Sequence, residues 1–284
     1  MNSKPLISAA ELTAMIDDND VLIVDCRHQL ADLAAGRRAW QEGHIPGAVH
    51  ADLDHDLADL EKRGEGRHPL PEPAAYMRWL ASVGWTPVTH VVAYDDAGGA
   101  LAAARLWWML RLIGADSSQV LNGGLAAWTR NGGVLETDQP TRTGSEPLDR
   151  AWSANQLVDA QGLQRGLADQ SLLLIDARAE ARYRGDVEPI DKIAGHVPGA
   201  RNRPFSTNLD DQGLFKDTAQ LRDEWLALID GRRPDQVVHM CGSGVTACHN
   251  LLAMEYAGLS GSRLYAPSWS GWISDPSRAV AKGD

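Results

Sequence analysis

The run Val237-Val238-His239-Met240, then Cys241-Gly242-Ser243-Gly244-Val245-Thr246, then the ten residues 247–256, decides how this chain is read. The first four residues form a short apolar run, as expected of a strand covered on both faces of a parallel sheet. The last ten predict a helix, closed by Gly258. A cysteine at a strand end, a loop with two glycines and a helix directly after it make a setting for a reactive thiolate. The loop amides turn inward and the positive end of the helix dipole lies beneath them, so both favour S⁻ over SH. Cys26, inside the strand-like run 21–26, and Cys248, on the helix, read as small buried hydrophobes.

Working outward, the same arrangement occurs twice. Residues 21–27 (Val-Leu-Ile-Val-Asp-Cys-Arg) are echoed by 172–178 (Leu-Leu-Leu-Ile-Asp-Ala-Arg), and His44-Ile45-Pro46-Gly47-Ala48 by His196-Val197-Pro198-Gly199-Ala200. Val91-Val92-Ala93-Tyr94-Asp95 matches 237–241, and 121–125 with Trp128 matches 265–269 with Trp272. Ser8-x-x-Glu11 and Ser153-x-x-Gln156 both read as helix capping boxes. The spacing stays between 144 and 152 residues. Two homologous α/β domains follow, 1–140 and 141–284, each a mainly parallel central sheet flanked by helices. The join is expected in the Pro- and Thr-rich stretch 137–147.

The duplication separates scaffold from chemistry. Asp25 with Arg27, Asp176 with Arg178, and the histidines His44 and His196 occur in both halves and read as structural. Cys241 has no twin, because Asp95 stands in its place, so the first domain is expected to be catalytically silent. Arg182 and Arg184 also lack twins.

Composition narrows the classes. The 284 residues are 44% hydrophobic and 23% charged, with a net charge of −11, which argues against a nucleic-acid partner. The three cysteines imply no disulfide framework and suit a reducing compartment. The first residues lack the apolar core of a secretory signal, and the longest apolar stretch, 100–113, is broken by Arg105 and Arg111. The expectation is a cytoplasmic protein with no membrane span. The nine histidines show no ligand spacing, and no phosphate or dinucleotide loop is present, so neither metal nor cofactor is expected.

With these residues in view, the chain resembles the tandem-domain rhodanese family of sulfurtransferases over nearly all its length. Both halves carry the Asp-x-Arg strand end and the Gly-His-x-Pro-Gly-Ala turn, and the Cys241–Thr246 loop is similar to the active loop of its 3-mercaptopyruvate-using members. The resemblance implies sulfur transfer through a Cys241 persulfide, from a small anionic donor to a small thiol, a thioredoxin-like protein or cyanide. It implies that Gly242, Gly244, Val245 and Thr246 cradle the donor and persulfide. Arg182 matches the ligand for the donor anion, and Arg184 is a weaker candidate. It further implies a relay of Ser243 with His68 and Asp54, the latter two from the silent domain, which puts the site between domains. Mercaptopyruvate enzymes often carry another arginine after a Glu-Pro step. Here Glu188-Pro189 is followed by Ile190, and Arg201 and Arg203 are possible substitutes. Trp269 and Trp272 read as core or as pocket wall.

Three rivals are weighed. Thiosulfate-specific members usually have basic residues where this chain has Gly242 and Ser243, and share the persulfide mechanism. A cysteine phosphatase or arsenate reductase needs an arginine six residues after the cysteine, and position 247 is alanine. A persulfide carrier or scaffold for a protein partner would use the same cysteine.

Overall fold

The computed structural model describes residues 4–283. The chain forms two compact units, which are not the contiguous stretches 1–140 and 141–284. One comprises residues up to 59, 70–153 and 211–215, and the other 60–69, 154–210 and 216 onward. The chain crosses between them several times, and the crossing nearest the expected join follows Ser153, later than the stretch 137–147. Hydrogen bonds explain this. Ser145 N–H donates to Ala81 O and Ser153 N–H to Leu112 O, so the Pro-rich stretch stays on the first unit.

The first unit holds β1 (Leu6–Ile7), β2 (Val21–Asp25), β3 (Val49–His50), β4 (His90–Tyr94) and β5 (Ser118–Leu121) in the order β1-β5-β4-β2-β3. The second holds β6 (Leu173–Asp176), β7 (Arg201–Asn202), β8 (Val237–Met240) and β9 (Arg263–Leu264) in the order β7-β6-β8-β9. Every pairing within both sheets is parallel. The central strands β2, β6 and β8 are buried at every residue, which is why they read as continuous apolar runs. The counterpart of β1 in the second unit is reduced to one bridge, Leu157 to Leu264.

The two helix starts differ. Ser8 caps the helix Ala9–Met15 as a full capping box, accepting from Glu11 N–H at 3.2 Å. Ser153 caps nothing. Residues Ala154–Gln156 form a single 3₁₀ turn, and the helix Ala160–Ala168 is capped by Asp159, whose Oδ1 accepts from Gly162 N–H at 2.6 Å. An aspartate cap needs no acid or amide three residues on, so the Ser153 signal was the louder and the wrong one.

The paired scaffold features superpose in chemistry. Arg27 chelates Asp25 and donates from Nη2 to Gly43 O at 2.7 Å; Arg178 chelates Asp176 and donates from Nη2 to Gly195 O at 2.7 Å. His44 Nδ1 lies 2.7 Å from Trp40 O, and His196 Nδ1 lies 2.9 Å from Tyr183 O. Both imidazoles are buried against backbone, as structural histidines should be. Trp269 and Trp272 are core residues, their indole N–H groups donating to Ile193 O and Ala279 O.

Segment 60–69 is sewn into the second unit. Arg67 N–H donates to Ser270 Oγ at 2.9 Å, and Ser274 Oγ donates to Gly64 O at 3.1 Å. His68 and Arg67 thus belong to the unit that carries Cys241, although they precede residue 140.

Candidate active site

β8 delivers Cys241 to its C-terminal end, and the helix Ala247–Tyr256 starts six residues later. Cys241 is 2% exposed. Its Sγ accepts from Gly244 N–H at 3.2 Å. Gly244 has φ +78°, and a Cβ there would stand 2.4 Å from Ala266 O, so backbone conformation and space both require glycine. The start of the helix Ser268–Trp272 holds the loop from the other side. Cys241 N–H donates to Ser268 Oγ at 3.1 Å, Trp269 N–H to Cys241 O and Ser270 N–H to Gly242 O, each of these two at 2.9 Å.

Ser268 was not singled out from sequence. It has φ +53°, an unusual backbone state for a residue with a side chain. Its twin is Gly124, at φ +56°. A serine in a glycine's place is the signal that could have found it.

Ser243 is buried, and its Oγ lies 2.8 Å from Nδ1 of the buried His68. The structure brings Cys241, Ser243 and His68 into one unit. Asp54 is buried in the first unit, where its N–H donates to Asp52 Oδ1 at 2.9 Å. Val245 is buried in the loop, and Thr246 is the N-cap of the following helix, without a side-chain cap bond.

Arg182 reaches the loop in the second unit. Its Nε and Nη2 donate to Glu188, Nη2 also donates to Asp191 at 3.0 Å, and both Nη atoms lie 3.7 Å from where a Gly242 Cβ would be. Burial pushes the Glu188 carboxyl up, but Arg182 and the amides of Asp191 and Ile190 outweigh it and hold it below its ordinary value. Arg184 is 38% exposed and pairs with Glu180 and Asp186 along its own surface. Arg203 is taken up by Glu224 and Asn208, and Arg201 donates to Leu228 O. Cys26 is fully buried, and burial first, then Asp25, Asp95 and Asp56, push its thiol well above the ordinary range.

The first unit shows what this loop type does with an anion. Asp95 Oδ1 accepts from the amides of Ala97 and Gly99, and Oδ2 from those of Leu101 and Ala103, at 2.8 to 3.3 Å. Burial nevertheless pushes its carboxyl up to about 6. A carboxylate oxygen is three bonds from its Cα, as is the outer sulfur of a cysteine persulfide. The helix begins eight residues after Asp95, against six after Cys241.

A thiol at a strand end in an amide-lined loop, beside a hydroxyl–imidazole pair and an arginine, defines a nucleophilic-cysteine site on a parallel α/β unit. The rhodanese-like domain model matches residues 8–131 and 159–275. The chain belongs to the rhodanese family of sulfurtransferases. It is 46% identical to a Pseudomonas aeruginosa protein provisionally named 3-mercaptopyruvate sulfurtransferase, covering 100% of both chains. It is 40% identical to a Mycobacterium tuberculosis protein provisionally named thiosulfate sulfurtransferase, over 98% of this chain and 97% of that one. Among solved structures, the 3-mercaptopyruvate sulfurtransferase of Leishmania major superposes with a TM-score of 0.82 at 30% identity, over 94% of this chain and 73% of that one.

Proposed function

We propose that this chain moves a sulfur atom from 3-mercaptopyruvate to a thiol or cyanide, releasing pyruvate. The observation that carries the reading is the uncharged pair Gly242-Ser243 with Ser243 Oγ 2.8 Å from His68 Nδ1. A hydroxyl–imidazole pair beside the thiolate suits a donor whose carbon leaving group must be polarised and protonated; thiosulfate has no such need.

Cys241 thiolate attacks the donor sulfur. The new S–S bond forms as the C–S bond breaks, and the electron pair leaves as the pyruvate enolate. Ser243, hydrogen-bonded to His68, polarises the ketone and relays the proton that turns the enolate into pyruvate. The Cys241 persulfide is held by loop amides, Gly244 N–H among them, in the manner of the Asp95 carboxylate. A thiolate or cyanide then takes the outer sulfur and restores Cys241, a ping-pong cycle. Arg182 binds the donor carboxylate. Thr246 and Val245 shape the loop, and the first domain, with Asp95 at the cysteine's place, is silent.

The M. tuberculosis relative's name favours a second reading, thiosulfate as donor by the same persulfide. Comparing kcat/KM for the two donors tests this, and a preference for thiosulfate overturns the first reading. Mass spectrometry after donor exposure should show a gain of roughly 32 Da at Cys241, lost in Cys241→Ser. A reducing compartment, the cytoplasm, suits an unpaired reactive thiol. Among the described residues no helix is long and apolar enough to cross a membrane.

A further inference from the structure

Gly242 is a glycine without a conformational need for one, since its φ is outside the left-handed region. Two guanidinium groups stand beside it, and a side chain here would have to displace the Arg67 one slightly. A Cβ there would lie 3.1 Å from Arg67 Nη2 and 3.7 Å from both Nη atoms of Arg182. Arg67 comes from segment 60–69 and Arg182 from the helix Glu180–Arg184, and one carboxylate clamps both: Asp191 Oδ1 accepts from Arg67 Nη1 at 2.7 Å and Oδ2 from Arg182 Nη2 at 3.0 Å. Asp191 is 5% exposed.

The clamp leaves hydrogen-bonding capacity unused. Arg67 spends only Nη1 on a carboxylate; its Nη2 has no partner among the described residues, and its buried Nε has none either. Arg182 spends Nε and Nη2, and its Nη1 has no partner among the described residues. The unpaired Arg67 Nε is buried, which costs stability, whereas Arg67 Nη2 and Arg182 Nη1 are not buried and stay within reach of a ligand. Here the idle edges converge on the residue next to the nucleophile. A cavity of about 520 Å³ that includes Arg67, Asp191 and Lys192 in its lining keeps Arg67 open to solvent.

We propose that Arg67 is the second arm of the donor site: Arg67 Nη2 and Arg182 Nη1 together bind the carboxylate of the sulfur donor over Gly242, with Asp191 as the residue that positions both. Arg67 thereby supplies the second cation that is missing at Ile190, whose side chain is uncharged and whose N–H donates to Glu188. The inference rests on the donor reading above and adds a residue to it. Each arginine has to hold Asp191 with one nitrogen and the donor carboxylate with another, a fork that a lysine point charge does not reproduce.

The test uses the full chain with Arg67→Gln and Arg67→Lys, with 3-mercaptopyruvate, its methyl ester and thiosulfate as donors. Arg67→Gln should raise the KM for mercaptopyruvate about tenfold to a hundredfold, the loss expected for hydrogen bonds to charged groups, with kcat little changed. Arg67→Lys, which keeps a cation near Asp191, should recover only part. With the methyl ester, wild type and both variants should agree. An unchanged KM in both variants overturns the inference and leaves the donor reading standing. A wild type that prefers thiosulfate overturns the donor reading; a thiosulfate KM raised in the variants then still supports Arg67 as an anion ligand. An equal loss with the methyl ester overturns the inference, because the effect would be structural.

Discussion

Ser268 Oγ accepts the Cys241 N–H at 3.1 Å from a backbone held at φ +53°. In the first unit the twin position is Gly124, which carries no side chain to do this. The serine therefore occupies a costly conformation at the one point where its hydroxyl fixes the nucleophile's own amide. Ser268→Ala keeps the strain and orphans a buried N–H, so stability should fall by about 1–3 kcal/mol. Ser268→Gly removes the strain as well and should lose less. Chemical denaturation of both variants checks the order; equal stability of wild type and Ser268→Ala would show the bond to be immaterial.

His68 and Ser243, 2.8 Å apart, should act as one device. Ser243→Ala and His68→Ala are each expected to lower kcat for mercaptopyruvate about a hundredfold or more, with smaller changes in KM. The double variant should be no worse than the poorer single one, because removing either partner already breaks the pair. Fully additive losses would mean that the two side chains work separately. Discharge of a preformed persulfide to cyanide should be little affected.

The elements that could be read from sequence are those whose determinants are local. β6 and β8 are buried on both faces and so appear as mainly apolar runs, and the loop from Cys241 to Thr246 carries its own glycines. Arg182 was singled out by its match to the family's donor ligand, and it also lacks a twin in the first half. Arg67 was not, because its meaning lies in Asp191, 124 residues away, and in Gly242 beyond that. A Gly-Arg-His-Pro loop in the first half gives no local sign that it is sewn to the second unit through Ser270 and Ser274. The Asp159 cap was missed for a related reason: its acceptor chemistry is complete in one residue, while the Ser153-x-x-Gln156 pattern imitates a two-residue device.

Arg182→Ala should raise the donor KM about tenfold to a hundredfold with persulfide discharge unchanged. It should also cost stability, since Glu188 is 3% exposed and would lose its bidentate partner. Arg182→Lys separates the two effects: it restores a cation for Glu188 but not the fork, so stability should recover more than KM does. Steady-state donor kinetics and a thermal melt on the same samples check this. Recovery of KM to the wild-type value in the lysine variant would show that a point charge at this position serves the donor as well as the guanidinium does.

Acid should weaken the second unit through His239. This imidazole is fully buried on β8, edge-on to Trp225 and with Nε2 3.2 Å from Met254 Sδ, and burial first, then Arg203, push its value down to about 3. The folded value lies below the ordinary one of 6.5, so between them the unfolded chain binds the extra proton. The stability this neutral histidine allows is therefore complete above about 6.5 and is lost as pH falls toward 3, with a slope of at most about 1.4 kcal/mol per pH unit. Asp95 and Asp56, both pushed up to about 6 by burial, oppose it, gaining stability as pH falls from about 6 to 3.8. The comparison must therefore be with a variant. His239→Leu, an uncharged side chain in the same core, should flatten the loss of stability between pH 6.5 and 4.5 relative to wild type. Parallel pH profiles for the two proteins would show that His239 does not titrate in this window.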